Sequence, residues 1–456
     1  MVAVAGVGVA LLTGAAQDAR AQAAAGSTTQ PQKKPKDQVE YDLYNQVIKD
    51  AANPAKQLQS LETWAQKYPE SDFKDDRAYF FVSAYNGSNQ PAKLLETAGQ
   101  LLSKDLKTAF QDPRQVISIL FLTALNIQKL PNPTPEQAAI GEKAARQLLE
   151  FTPTYFTAEK KPAGTSDTDW TNARNQLDSV AKAALVHIAM APGNAAMAAN
   201  PKDPNNCAAA ETIYTKALQD YPDSAQIAYA LAGALRCQQT VKPEKVQQAI
   251  YLYARAAALD PGKGGIADPK TRQGIDTYVR TVYKNFHGSE EGLDKLKELA
   301  VQSPLPPADF KLKTAAEIAA EKEAEFAQSN PQLALWMGIK KQLSDTNGDQ
   351  YFQDQMKNAA VPKLKGTVVE GKPACRSKEL LVAISDAKNP EVTLKLSAPL
   401  TGKAETGTEI QWEGVPSAFT KEPFMLTMDT EKAKIEGLKV SPCAAPVRRT
   451  PVRKKK

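Results

Sequence analysis

SAQIAYALAGALRCQQTVKPEKVQQAIYLYARAAALDP, residues 224–261, reads as two helices folded against each other. Apolar residues recur three or four apart on both sides of a polar break at Gln238 to Pro243, which is helical spacing rather than the alternation of a strand. Ser224 stands where a helix N-cap belongs. Asp260-Pro261 ends the second helix, because proline lacks the N–H that continues the ladder and clashes with the preceding turn. The joint that opens this stretch, Tyr221-Pro222-Asp223-Ser224, has a near copy at Tyr68-Pro69-Glu70-Ser71. Between about Gln38 and Ser303 the chain reads as helices of roughly 12 to 20 residues with Ala, Leu, Ile and Tyr on one face.

The second helix carries Ala249, Ile250, Tyr253, Ala256, Leu259, Asp260 and Pro261, and the first carries Leu231 and Ala232. This pattern resembles the tetratricopeptide repeat, with Ala232 where that family has a close-contact glycine. One helix earlier, Ala210, Tyr214, Ala217 and Pro222 keep the same spacing. Leu61, Trp64 and Pro69 keep it with bulkier residues, as do Ala145, Leu148 and Pro153. The resemblance implies small residues where helices cross, an aromatic in the groove between successive hairpins, and a concave face of first helices that binds a protein partner. The units are longer than the usual ~34 residues. Gln238 to Pro243 accounts for part of the excess, and Thr154 to Trp170 and Pro192 to Asn206 read as loop insertions. About five or six hairpins are expected over residues 38–303, and their Tyr-Pro joints are similar to repeats of bacterial envelope assembly and scaffold proteins. Tyr41, Tyr44, Tyr79, Phe80, Phe81, Tyr85 and Tyr229 lie on first helices, and most of them are expected in the core.

A solenoid needs a capping element, and residues 304–360 are read as a helical cap and bridge, with Trp336 on the apolar face of Leu333 to Leu343. From Pro362 the period changes to two. Lys363 to Glu370, Glu379 to Ser385, Glu391 to Leu396, Glu409 to Glu413 and Phe424 to Met428 read as short antiparallel strands between Gly, Pro, Asn and Asp breakers. They suit a small closed barrel over residues 361–443, because closure leaves no exposed edge. Gly366-Thr367-Val368 and Gly407-Thr408-Glu409-Ile410 look similar to strands of an oligonucleotide/oligosaccharide-binding barrel, with an immunoglobulin-like domain or another small barrel as the alternative. The fold class is therefore mainly α, a tetratricopeptide-like helical-hairpin solenoid followed by a small antiparallel β-barrel.

The two ends carry different signals. Val2 to Ala16 is uncharged and apolar but too short to span a bilayer, and Ala19-Arg20-Ala21 is a small-x-small cleavage signal. Residues 1–21 are expected to be a signal peptide and residues 22–37 a disordered linker, which gives an exported protein, periplasmic or extracellular and soluble after cleavage. The alternative is a buried first helix. No cationic leader follows Met1, so the true start is expected upstream.

The net charge is +6, and Arg448, Arg449, Arg453, Lys454, Lys455 and Lys456 supply it all from residues 444–456. That segment is expected to be disordered and to reach an anionic surface. The near-neutral remainder gives no specific nucleic-acid signal.

The four cysteines allow two bridges. Cys207 and Cys237 stand equally far on either side of Pro222, so a hairpin folded there brings them level. Cys375 and Cys443 flank most of the barrel, and pairing them would tie its last segment to its first strands. An oxidising compartment favours both bridges.

The other candidates carry little chemistry. His187 and His287, the two histidines, sit on different helices outside any zinc or nucleophile motif. Gly262-Lys263-Gly264-Gly265 lacks the Lys-Ser/Thr end of a phosphate loop, and Asp345-Thr346-Asn347-Gly348-Asp349 has its glycine and its Met356 at the wrong places for a calcium loop. Asp75-Asp76 and Glu290-Glu291 read as helix starts, where acids favour the dipole. No catalytic residue, metal ligand or cofactor is expected. The expected function is protein–protein interaction on a scaffold; the alternative is an oligosaccharide, cell-wall fragment or nucleic acid bound by the barrel.

Overall fold

The computed structural model describes residues 33–443. The expected signal peptide, residues 22–32 of the expected linker and the basic tail lie outside them. The described chain divides after Leu312 into two compact units. Sixteen helices are present among the described residues and make the protein mainly α.

The first unit is a series of helical hairpins. α1 (Gln38–Lys49) pairs with α2 (Pro54–Lys67), and α3 (Lys74–Gly87) with α4 (Pro91–Leu102). A single turn, α5 (Leu106–Ala109), leads to the pair α6 (Pro113–Ile127) and α7 (Pro135–Tyr155). α8 (Asp167–Ala199) follows with α9 (Pro204–Asp220), and then α10 (Ala225–Cys237) with α11 (Lys245–Ala258). α12 (Pro269–His287) and α13 (Leu293–Gln302) both pack on α11.

Proline opens these helices more often than it closes them. Asn53, Asp112, Thr134, Asp203 and Asp268 each precede a proline at the first helical position, and each side chain accepts a backbone N–H of the first turn. Ser224 caps α10 through the Ile227 N–H, as its place in the sequence suggests.

Two proline readings change. Pro192 to Asn206 is not one loop, since α8 runs through Pro192 to Ala199, and Pro153 lies inside the last turn of α7. α8 survives its proline because packing holds the next turn. A Cβ at Gly193 would lie 2.5 Å from the Tyr214 ring, so the bare backbone admits that ring, and the Tyr214 hydroxyl donates to Asn194 Oδ1 at 2.7 Å.

In the second unit, α14 (Ala315–Ser329) and α15 (Pro331–Ser344) precede α16 (Gly348–Tyr351) and a π turn at Phe352–Met356. The stretch 304–360 is thus shared: Leu305, Phe310 and Leu312 pack in the first unit, whereas Trp336, Ile339 and Leu343 join the barrel core.

All five expected strands form: β1 (Val361–Lys372), β2 (Glu379–Ala383), β3 (Val392–Leu396), β5 (Glu409–Lys421) and β6 (Phe424–Thr430), with short β4 (Lys403–Ala404), β7 (Ile435–Glu436) and β8 (Val440–Ser441). Their order is β1-β2-β3-β6-β5, and β5 returns to pair with β1, which closes the barrel. The expected all-antiparallel pairing is corrected, because β3 and β6 run parallel. The β5–β6 hairpin inserts between β3 and β1, so the strand that meets β3 points the same way. β5 also runs past its expected end, with Gly414 at the register shift against β1 and Pro416 at the shift against β6.

Both units bury a glutamate under a tryptophan. Trp64 Nε1 donates to Glu40 at 3.1 Å, and Trp336 Nε1 donates to Glu391 at 3.2 Å. Glu391 also accepts from Lys340, from the Ile384 and Ser385 N–H groups and from the Ser385 hydroxyl, which fixes α15 to the β2–β3 turn. Burial alone would raise its pKa, but the Lys340 ammonium and the Ser385 donors hold it below the ordinary glutamate value.

A carboxylate depressed in this way contributes stability above its unfolded pKa of about 4.3 and loses it as pH falls through the lower folded value. Glu391→Gln should cost about 2–3 kcal/mol at neutral pH. It should also flatten the loss of stability on acidification in urea titrations read by tryptophan fluorescence. A variant as acid-sensitive as the parent would remove Glu391 from this role.

Candidate functional site

The residues expected to pack the repeats come together as a core. Ala210, Tyr214, Ala217, Leu231, Ala232, Ala249, Tyr253 and Ala256 are buried in one cluster, while Pro222 and Pro261 sit exposed at the joints. Gly264 adopts φ +91° and carries its turn against the Tyr221–Ser224 joint. A Cβ there would lie 2.0 Å from the Asp223 carbonyl, and the Gly264 carbonyl accepts the Ala225 N–H. The glycine-rich stretch is therefore a packing turn.

Buried arginines hold the two Tyr-Pro joints. Arg77 donates to the carbonyls of Tyr68 and Pro69, and Arg255 donates to that of Pro222. A sequence pattern scores charge as exposed, so Arg77 was not legible as a core residue.

None of the first-helix aromatics is fully buried as expected of core residues; most are half-buried and pack against the edges of the cores. Tyr44 and Phe80 pack around Trp64, Tyr79 meets Phe110, and Phe81 stacks on Tyr85. Tyr41 and Tyr229 are exposed, Tyr229 by 43%.

Tyr229 belongs to a row that crosses three helices. Its ring meets Tyr253 edge-on at 5.4 Å, and Tyr253 meets Tyr278 edge-on at 5.0 Å. Burial pushes the Tyr253 hydroxyl pKa up to about 12, with the Tyr229 hydroxyl adding to the rise and Arg236 opposing it. The Arg236 guanidinium lies 5.1 Å from the centre of the Tyr278 ring. Beside this row lies a shallow, solvent-open pocket of about 400 Å³, lined by Lys202, Gly233, Arg236, Gln239, Thr240 and Tyr253 together with Pro201 and Cys237. Of the lining residues only Tyr253 and Cys237 were singled out by the sequence reading.

The cysteines are bridged as two pairs, Cys207–Cys237 with Cα atoms 6.1 Å apart and Cys375–Cys443 with Cα atoms 5.8 Å apart. The first ties α9 to α10 at the mouth of the pocket. The second ties the segment after β8 to the β1–β2 turn.

His187 and His287 remain on separate helices. His187 Nε2 lies 2.9 Å from the Leu130 carbonyl, and the His287 ring packs on Tyr283. Asp345 to Asp349 forms a tight helix-to-helix turn, in which the Asp345 carbonyl accepts the Gly348 N–H. Among the described residues no group of three or more His, Cys, Asp or Glu is placed to hold a metal ion, and no helix is long and apolar enough to cross a membrane. Arg448 to Lys456 and the Ala19–Ala21 cleavage signal lie outside the described residues. Comparison with known proteins finds no matching family and no matching curated relative.

Proposed function

We propose that this protein is an exported tetratricopeptide-repeat scaffold of the cell envelope that holds a protein partner on its helical unit. The observation that carries the reading is the continuous hairpin array whose small residues and Tyr214 and Tyr253 pack as that repeat requires, while Tyr229 stays exposed at the surface. The two disulfides support an oxidising compartment. In this reading the Arg/Lys tail is a tether to an anionic surface, and no catalysis is involved.

The test is a photo-crosslinking residue at Tyr229 in the full-length protein within its own cells. A discrete protein adduct, lost on competition with the unlabelled protein, is the expected result. No protein adduct at Tyr229 or at the equally exposed Tyr41 would overturn the reading.

A second reading has its own support. A closed five-stranded barrel whose one parallel pairing is β3 with β6 is similar to an oligonucleotide/oligosaccharide-binding barrel, which favours a glycan or nucleic-acid ligand there. The fragment to assay is residues 313–443 rather than the strands alone, because Trp336 on α15 belongs to the barrel core. Saturable binding of an oligosaccharide or oligonucleotide by that fragment would favour this alternative.

A further inference from the structure

Gly233 sits in the interior of α10, where a glycine costs about 0.5–1 kcal/mol relative to alanine. Some glycines inside the array's helices answer to packing, whereas exposed Gly274 in α12 has no neighbour within 4 Å of a Cβ position. A Cβ at Gly141 would lie 2.7 Å from Ile127 and one at Gly193 2.5 Å from Tyr214. At Gly233 a Cβ would meet only the Tyr253 hydroxyl, at an ordinary 3.8 Å. No neighbour requires its bareness, and it lines the open 400 Å³ pocket.

The walls of that pocket hold two cations, Lys202 and Arg236, and no acid. Neither cation has an ion pair among the described residues, and the Arg236 guanidinium lies over the Tyr278 ring. The nearby Glu211 is already taken by Lys245 and Gln238. Gln239 and Thr240 add neutral donors at the rim, and the Cys207–Cys237 bridge fixes it. A guanidinium with free N–H groups matches a carboxylate fork to fork, and Pro201 with the Tyr253 edge gives the wall its apolar part.

We propose that the Gly233 pocket is a binding site for a carboxylate carried on a planar, apolar group. This goes beyond scaffolding, yet it rests on reading the helical unit as a binding surface. The same chemistry is available from a free aromatic acid or from adjacent acidic and aromatic side chains in a partner protein.

Calorimetry on the full-length, disulfide-bonded chain separates these sources with two probes, 3-phenylpropionate and a blocked peptide, acetyl-Gly-Glu-Phe-Gly-amide. One saturable site per chain is expected for at least one of them. The uncharged amide of the small probe should not bind, and added salt should weaken the interaction. Gly233→Leu fills the pocket where a Cβ has room, so it should retain or raise the melting temperature while weakening binding by about tenfold or more, and Arg236→Gln should do likewise. Binding of the small probe alone identifies a free organic acid, and binding of the peptide alone identifies a partner segment. No binding of either probe, or undiminished binding by Gly233→Leu, would overturn the site. The Tyr229 crosslink reports on the scaffold reading separately, so the two can fail independently.

Discussion

Replacing Arg255 by methionine should destabilise the helical unit by about 3–5 kcal/mol. Arg255 is 2% exposed in the middle of α11. One guanidinium nitrogen donates to the carbonyls of Ala300, Val301 and Ser303 at 2.6, 2.9 and 3.1 Å, and the other donates to Pro222 at 2.6 Å. The first three acceptors lie at the C-terminal end of α13, where helix carbonyls have no intrahelical partner and the helix dipole favours a cation. Burial pushes the arginine pKa down, and the charge persists because no arginine in a protein titrates in the accessible range.

Methionine keeps the apolar stem and removes every donor, so buried carbonyls are left unpaired. Urea unfolding followed by circular dichroism at ~222 nm, a helix signal, should show an early transition. Arg255→Lys should fall between the two, since an ammonium cannot fork to both groups of acceptors. A loss below about 1 kcal/mol for the methionine variant would mean that water replaces the arginine at no cost.

The second large effect belongs to the disulfides. Cys375–Cys443 closes 68 residues and Cys207–Cys237 closes 30. A cross-link restricts the unfolded chain more as its loop grows, which gives about 4 kcal/mol for the barrel bridge and about 3.5 kcal/mol for the helical one. Serine pairs at each bridge should show losses in that order, each confined to the unfolding transition of its own unit. Peptide mapping without reductant should recover both cross-linked pairs, and free thiols at both sites in the native protein would dismiss the prediction.

Much of this fold could be read from pattern alone. The hairpin of α10 and α11, the Ser224 cap, the five barrel strands and the apolar face around Trp336 all follow from spacing and breakers, because each is decided within a few residues. What escaped depends on distant partners. The parallel β3–β6 pairing is set by how the chain returns, and the helix through Pro192 is kept by a tyrosine about three helical turns beyond the next loop. Arg255, Glu40 and Glu391 are charged residues in a core, and their counterparts stand 45, 24 and 55 residues away at Ala300, Trp64 and Trp336. A clue did exist at Arg255. It interrupts Ala249 to Ala256, an otherwise apolar run that is buried on every side of the helix.

That all-round burial orders the events of synthesis. A nascent chain ending at Pro261 has made α11 but not its cover, and it carries a guanidinium whose acceptors on α13 do not yet exist. The apolar helix stays exposed to proteases and to other chains until residue 303 has been made. Stop codons anywhere between the two points therefore remove more than the last hairpin, since they leave the preceding one without a stable home.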